Sequence, residues 1–277
     1  MKNSPTNTYM HINLEGYTAL VTGGSRGIGK ACVQSLAKSG ANVAFTYQRG
    51  KSEAEELVLQ YPDQVTCHKL NLQDLTSIQQ CIEEVRNISG NLHIVVNNAA
   101  VGSATVEKYE SDPAKQDSAI LEINADGVLK VSQAAIEAMK RNIDDKQCKL
   151  INLSSVGGGI QVFPGFKLAD GMSKAAVAFM TKQLAAELVQ TRIDVFAVCP
   201  GATDTEMFQE STLNSMSSAE RELFEKSLPK GRLIKPEEIA QLITFLSSEY
   251  STVLHGSVLD ASLGLGVRPG LVTEATH

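Results

Sequence analysis

The sequence predicts an α/β fold, a doubly wound parallel sheet of about seven strands in a single domain. Three observations predict it. Seven short runs rich in Val, Ile, Leu and Ala lack polar alternation, as strands buried on both faces do. Amphipathic stretches of helix length separate these runs. The first run ends in a glycine-rich turn that leads straight into a helical pattern.

In chain order, the apolar runs fall at 18–22, 42–46, 65–70, 93–97, 149–153, 194–198 and 257–261. Helices are expected over 28–39, 52–60, 75–88, 114–141, 167–190 and 236–248. Within 75–88 the apolar positions Ile78, Ile82 and Val85 recur at three and four, so they share one face. Residues 1–13 read as a polar N-terminal extension, and 14–277 as the dinucleotide-binding domain. Nothing in composition marks a second domain, a linker or an internal repeat. The Ser-, Met- and Glu-rich stretch 204–230 is less regular, either a flap over a substrate or a surface insertion.

Bulk properties exclude several classes. A net charge of −6 with no Lys/Arg cluster argues against a nucleic-acid surface. Five scattered cysteines, with no C-x-x-C pair, read as reduced thiols. His68, His93 and His255 have no partners at metal-ligand spacing, so no metal is expected. The polar first residues lack a signal-peptide core, and no apolar run approaches the ~20 residues that span a bilayer. A soluble cytoplasmic protein is expected, with a small-molecule substrate and neither nucleic acid nor membrane as partner.

The turn reads Thr22-Gly23-Gly24-Ser25-Arg26-Gly27-Ile28-Gly29. Glycines at 23, 27 and 29 let backbone approach a pyrophosphate, and the helix that follows offers free N–H groups and partial positive charge. A Rossmann-type nicotinamide dinucleotide pocket is expected. The end of the second strand, Phe45-Thr46-Tyr47-Gln48-Arg49, carries no acid to grip a ribose 2′-hydroxyl. Arg26 and Arg49 beside Tyr47 suit a 2′-phosphate, which an acid would repel. NADP(H) is therefore favoured over NAD(H).

With this loop and the markers that follow, residues 14–266 resemble the short-chain dehydrogenase/reductase family, in particular its ketoacyl-reductase-like branch. The markers are Asn97-Asn98-Ala99-Ala100, Asn124, Ile151-Asn152-Leu153-Ser154-Ser155, Ser173-Lys174-Ala175-Ala176, Pro200-Gly201-Ala202-Thr203-Asp204-Thr205 and Pro236-Glu237-Glu238-Ile239-Ala240. The resemblance implies that Asn97 and Ala99 flank the adenosine ribose and that Asn71 and Leu72 border the adenine. It implies that Pro200, Gly201, Thr203 and Thr205 hold the nicotinamide carboxamide, and Lys174 the nicotinamide ribose. Ser155 would polarise a substrate carbonyl, and Asn124 would support a water chain behind Lys174. Relatives pair their long helices between subunits, so a homodimer or homotetramer is expected. Where many relatives end in V-D-G-G, this chain has Ala261-Ser262-Leu263-Gly264.

The family's catalytic acid is a tyrosine four residues before the lysine, and counting back from Lys174 gives Asp170. The six tyrosines lie at 9, 17, 47, 61, 109 and 250, none in this segment. Aspartate reaches roughly 4 Å less far than tyrosine. The Lys174 ammonium favours its carboxylate form, whereas burial favours the acid. Three readings follow. The leading one is an NADP(H)-dependent oxidoreductase acting on a small carbonyl or imine, with the proton coming from Lys174, from Asp170 through water, or from the substrate. The second is a non-redox enzyme (elimination, isomerisation or cyclisation) with Asp170 as base. The third is a catalytically silent nucleotide-binding protein.

Overall fold

The computed structural model describes residues 12–268. Seven strands alternate with helices along the chain: β1 (Thr18–Val21), α1 (Gly27–Lys38), β2 (Asn42–Tyr47), α2 (Lys51–Gln60), β3 (Val65–Lys69), α3 (Leu75–Ser89) and β4 (Ile94–Asn97) form the first half. The second half comprises α4 (Gln116–Leu121), α5 (Gly127–Lys140), β5 (Cys148–Leu153), α6 (Leu168–Leu188), β6 (Ile193–Pro200), α7 (Glu206–Phe208), α8 (Ser218–Ser227), α9 (Pro236–Leu246) and β7 (Val258–Ala261). All strands pair in parallel, in the order β3-β2-β1-β4-β5-β6-β7. The expected doubly wound sheet is therefore present.

The central strands β1, β4, β5 and β6 lack polar alternation because both of their faces are buried. Leu20, Val95, Leu150 and Val195 enter a core with α3 and α5, through Ile78, Val85, Val131 and Ile136. Their neighbours Val21, Val96, Ile151 and Phe196 enter the opposite core with α1 and α9, through Val33, Leu36 and Ile243. Successive side chains of one strand thus stabilise two different cores.

The lower edge of the sheet is tied by polar groups. Lys149 is wholly buried, and its Nζ donates to Asp194 Oδ2 at 2.7 Å, Thr252 Oγ1 at 3.0 Å and Ser251 Oγ at 3.2 Å. His93 Nδ1 accepts from Thr18 N–H at 2.9 Å, so its other nitrogen carries the proton and donates to Asp144 Oδ2 at 2.9 Å. His255 accepts in the same way from Val195 N–H, at 3.3 Å. Both histidines are structural, and among the described residues no group of three or more His, Cys, Asp or Glu could hold a metal.

Two expected elements differ. The helix expected over 114–141 runs from Gln116 to Lys140 as α4 and α5, continuous through a wider π-helical turn at Glu122–Asp126. The Asn124 side chain in this turn reaches the loop after β4. Its Oδ1 accepts from Val101 N–H and its Nδ2 donates to Val101 C=O, both at 2.8 Å. The stretch 204–230, expected to be irregular, contains α7, a π-helical turn at Gln209–Leu213 and the ten-residue α8. It has its own small core of Leu213, Leu228 and Leu233, with Phe208 and Phe224 packed on it. Of the N-terminal extension, residues 1–11 lie outside the described residues. Leu14 is already buried and bonded through its N–H to Ser39 C=O at 2.7 Å.

Candidate active site

The strand order reverses between β1 and β4, so the loops leaving their C-terminal ends diverge and leave a crevice. A cleft of about 580 Å³ opens there. The turn after β1 forms one bank. Gly23 has a left-handed backbone (φ 66°) and donates its N–H to Thr46 Oγ1 at 3.2 Å. Asn98 braces the turn from β4, its Nδ2 donating to Thr22 C=O and Gly23 C=O, each at 2.9 Å. Gly23, Ser25, Arg26, Gly27 and Ile28 line the cleft, whereas Gly29 does not. A side chain at Gly29 would strike the Gly23 carbonyl and Asn98, so this glycine serves packing of helix on turn.

The twelve-residue α1 begins in this bank, and no side chain caps its N-terminus. Its first residues, Gly27 and Ile28, face the cleft, so an anionic group there meets free N–H donors and the positive end of the helix. Tyr47 and Arg49 line the cleft at the end of β2, together with Leu72. The Arg49 guanidinium lies 4.9 Å from the centre of the Tyr109 ring, a cation–π contact. Arg26 reaches across to Glu206, 3.2 Å away. A glycine-lined helix N-terminus with two arginines and no acid at the end of β2 fits a phosphorylated dinucleotide.

Two residues expected near the adenosine lie elsewhere. Asn71 is turned aside, its Oδ1 accepting from Gln48 Nε2 at 3.3 Å and Gln73 N–H at 3.1 Å, and it does not line the cleft. Asn97 is buried beneath the cleft, its Nδ2 donating to Asn152 Oδ1 at 2.9 Å and Ser132 Oγ at 3.0 Å. Asn152 continues this chain to Thr181 Oγ1 at 3.0 Å. These amides bind β4, β5, α5 and α6 together, while Ala99 keeps its place in the cleft wall.

The opposite bank brings together Ser155, Asp170 and Lys174 with Pro200, Gly201, Thr203 and Thr205. Ser155 follows β5, and its Oγ accepts from Gly157 N–H at 3.2 Å. Ser154 beside it donates to Lys174 C=O at 2.8 Å and so anchors α6. Lys174 Nζ donates to Leu153 C=O at 3.3 Å. Asn124 lies behind, with its Nδ2 3.4 Å from Ser173 Oγ, and does not reach the cleft surface. Ser173 in turn donates to Asp170 C=O at 2.7 Å.

Asp170 sits in the first turn of α6, one turn before Lys174, and among the described residues no ion pair joins them. Burial pushes its carboxyl above the ordinary carboxylate range, against the opposing pull of Lys174 and Lys167. Burial also pushes Lys174 down from the ordinary lysine range, opposed by Asp170. Desolvation outweighs attraction at both groups, so each is driven toward its neutral form. The Phe166 ring adds an apolar wall, packed on Gly157 and Gly171 beside Asp170. Thr46, Asn98, Ser154 and Phe166 are site residues that sequence reasoning missed. Asn98 had a signal, its place beside Asn97; Phe166 had only its place in the loop 156–169 that leads to Asp170.

A family model described as enoyl-(acyl carrier protein) reductase matches residues 23–266. The 3-oxoacyl-[acyl-carrier-protein] reductase FabG of Aquifex aeolicus is 32% identical over 262 residues, covering 92% of this chain and 100% of the relative. Among solved structures, the Pseudomonas aeruginosa RhlG/NADP active-site complex superposes with a TM-score of 0.81 at 27% identity, covering 94% of this chain and all of that one. A 3-ketoacyl-(acyl-carrier-protein) reductase from Brucella melitensis, complexed with NADH, does so at 0.80 and 28%, covering 92% of this chain and all of that one.

Proposed function

The chain belongs to the short-chain dehydrogenase/reductase family, and from that premise we propose an NADP(H)-dependent carbonyl reductase in which Asp170 replaces the family's tyrosine as proton donor. The observation that carries this reading is the position of Asp170 in the wall shared with Ser155 and Lys174, unpaired and biased toward the neutral acid. A bound nicotinamide supplies the hydride. Ser155 holds the substrate oxygen, and Asp170 gives that oxygen its proton, directly to a substrate seated deep in the cleft or through one water. Lys174, anchored through Ser154 and Leu153, orients the ribose, and Asp170 regains its proton from solvent through the cleft.

Arg26 and Arg49 support NADP(H), as does the absence of an acid at the end of β2. A carboxyl whose pKa is raised by burial favours a carbonyl over an iminium, because an iminium needs a nearby anion and no proton on its partner atom. The apolar Phe166 and Met207 suit a small carbonyl with an apolar flank. Five free cysteines, four of them buried, suit a reducing cytoplasm. The exposed apolar face of α6 supports a homodimer or homotetramer.

NADPH oxidation against a panel of ketones, aldehydes and cyclic imines tests the reading. Asp170→Asn is expected to lower kcat for the accepted carbonyl by roughly 10²-fold or more, the usual contribution of a general acid. The wild-type rate should fall as pH rises through the raised range of Asp170, since only the protonated group donates. Asp170→Tyr should recover part of the lost rate on ketones. An Asp170→Asn enzyme with wild-type kcat and pH profile would refute the assignment.

A further inference from the structure

We infer that Glu206 sets how strongly the cofactor site distinguishes NADP(H) from NAD(H), by competing with the 2′-phosphate for Arg26. The inference rests on the NADP(H) reading above and deepens it.

The segment after β6 crosses the cleft and touches the opposite banks in succession. The Thr205 methyl lies 3.2 Å from where a side chain on Gly27 would begin. Glu206 Oε2 meets Arg26 at 3.2 Å. The Met207 sulfur packs 3.5 Å from the corresponding point on Gly102, and Glu210 Oε2 meets Lys108 Nζ at 2.7 Å. The root of the segment is fixed by the pairing of Thr203 with Ile234, and its far side by the Leu213–Leu228–Leu233 core. Glu206 is therefore held beside the phosphate-binding turn, although its side chain is exposed.

Arg26 is the one arginine of that turn, and without ligand its charge is directed to Glu206. Both side chains are exposed, so their pair is worth at most about 1 kcal/mol and is screened by salt. A phosphate monoester carries close to two negative charges and three acceptor oxygens, so it outcompetes one carboxylate for the guanidinium. The displaced Glu206 then remains near a dianion and repels it. NAD(H) has a hydroxyl at the same carbon, which neither displaces Glu206 nor is repelled by it. Glu206 thus weakens NADP(H) selectively. Arg49, whose one contact among the described residues is with the Tyr109 ring, keeps its hydrogen-bonding edges for the phosphate.

Calorimetric titration of wild type and Glu206→Gln with NADPH, NADH and 2′,5′-ADP decides the matter without any turnover. Glu206→Gln should bind NADPH and 2′,5′-ADP roughly three- to tenfold more tightly, with NADH changed by less than about twofold. The gain should shrink in about 0.5 M salt, where the screening length is only a few ångströms. Equal effects on NADPH and NADH would overturn the inference, as would an effect on NADPH absent from 2′,5′-ADP, which lacks the nicotinamide. A wild type that prefers NADH to NADPH would instead overturn the cofactor assignment itself.

Discussion

A carboxyl group one helical turn from a lysine, near the positive end of a helix, is ordinarily ionised. Burial nonetheless raises the Asp170 carboxyl above the ordinary carboxylate range, in a cleft wall it shares with Phe166, while Lys174 Nζ donates to Leu153 C=O. The charged groups that bear on it are Lys174 and Lys167, and both pull its pKa down without overcoming burial. This has a consequence for stability. The native state binds more protons at Asp170 than the unfolded chain does, from the ordinary carboxylate range up to the raised native value. Stability must fall as pH rises through that window, and the loss persists above it. Asp170→Asn removes the titration while keeping the shape. Its thermal midpoint should exceed that of wild type at pH 7, with the gap closing as pH falls below about 4, where the unfolded aspartate is also protonated. Thermal unfolding followed by circular dichroism across that range checks it. A gap that is constant or reversed would mean that Lys174 governs the site and Asp170 is ionised.

At the scale of elements, legibility in the sequence follows from where side chains end. The central strands were readable because neighbours such as Leu20 and Val21 enter opposite cores, which leaves an unbroken apolar run. The glycine turn was readable because Gly23 and Gly27 need left-handed backbone that other residues resist. The π-helical turn between α4 and α5 was not, and its Asn124 bonds Val101, which lies far away in sequence. The burial of Asp170 was likewise illegible, because it depends on how the cleft walls meet around it. α8 is a different case. Its start carries a local signal, Ser217 with Glu220 three residues on, and both reciprocal bonds form, at 2.7 and 3.4 Å. α8 buries none of its residues fully, so this cap matters more than in a core helix. Ser217→Ala should cost the helix about 1 kcal/mol. Hydrogen exchange at amides 218–227 should then speed up roughly fivefold while the global melting temperature stays within a degree or so. An unchanged exchange rate would show that the Leu213–Leu228–Leu233 core alone holds α8.

For the whole molecule, the burial pattern is uneven in a way that one subunit does not explain. The sheet is covered on both faces, yet the outer side of the 21-residue α6 presents Met172, Ala175, Ala176, Phe179 and Ala186 to solvent. Leu168 at its start and Leu129 on α5 are exposed as well. Phe179 leaves 69% of its surface uncovered, an arrangement that wastes the hydrophobic effect unless another surface meets it. The spacing 172, 175, 176, 179 is that of a single helical stripe, and its small alanines allow close approach of a second helix. A two-fold pairing of this face would set α6 against its own copy, so Phe179 would lie near the centre of the contact. α6 also carries Asp170 and Lys174 on its inner side, so the pairing would stiffen the helix that positions them. Light scattering after size exclusion should give a mass of two or four times 29.7 kDa for the wild type. Phe179→Glu would place two like charges together in a desolvated contact and should shift the mass toward one subunit, with a lower melting temperature. A wild type that runs as a single subunit at micromolar concentration would remove the pairing and leave the exposed face of α6 to a partner of another kind.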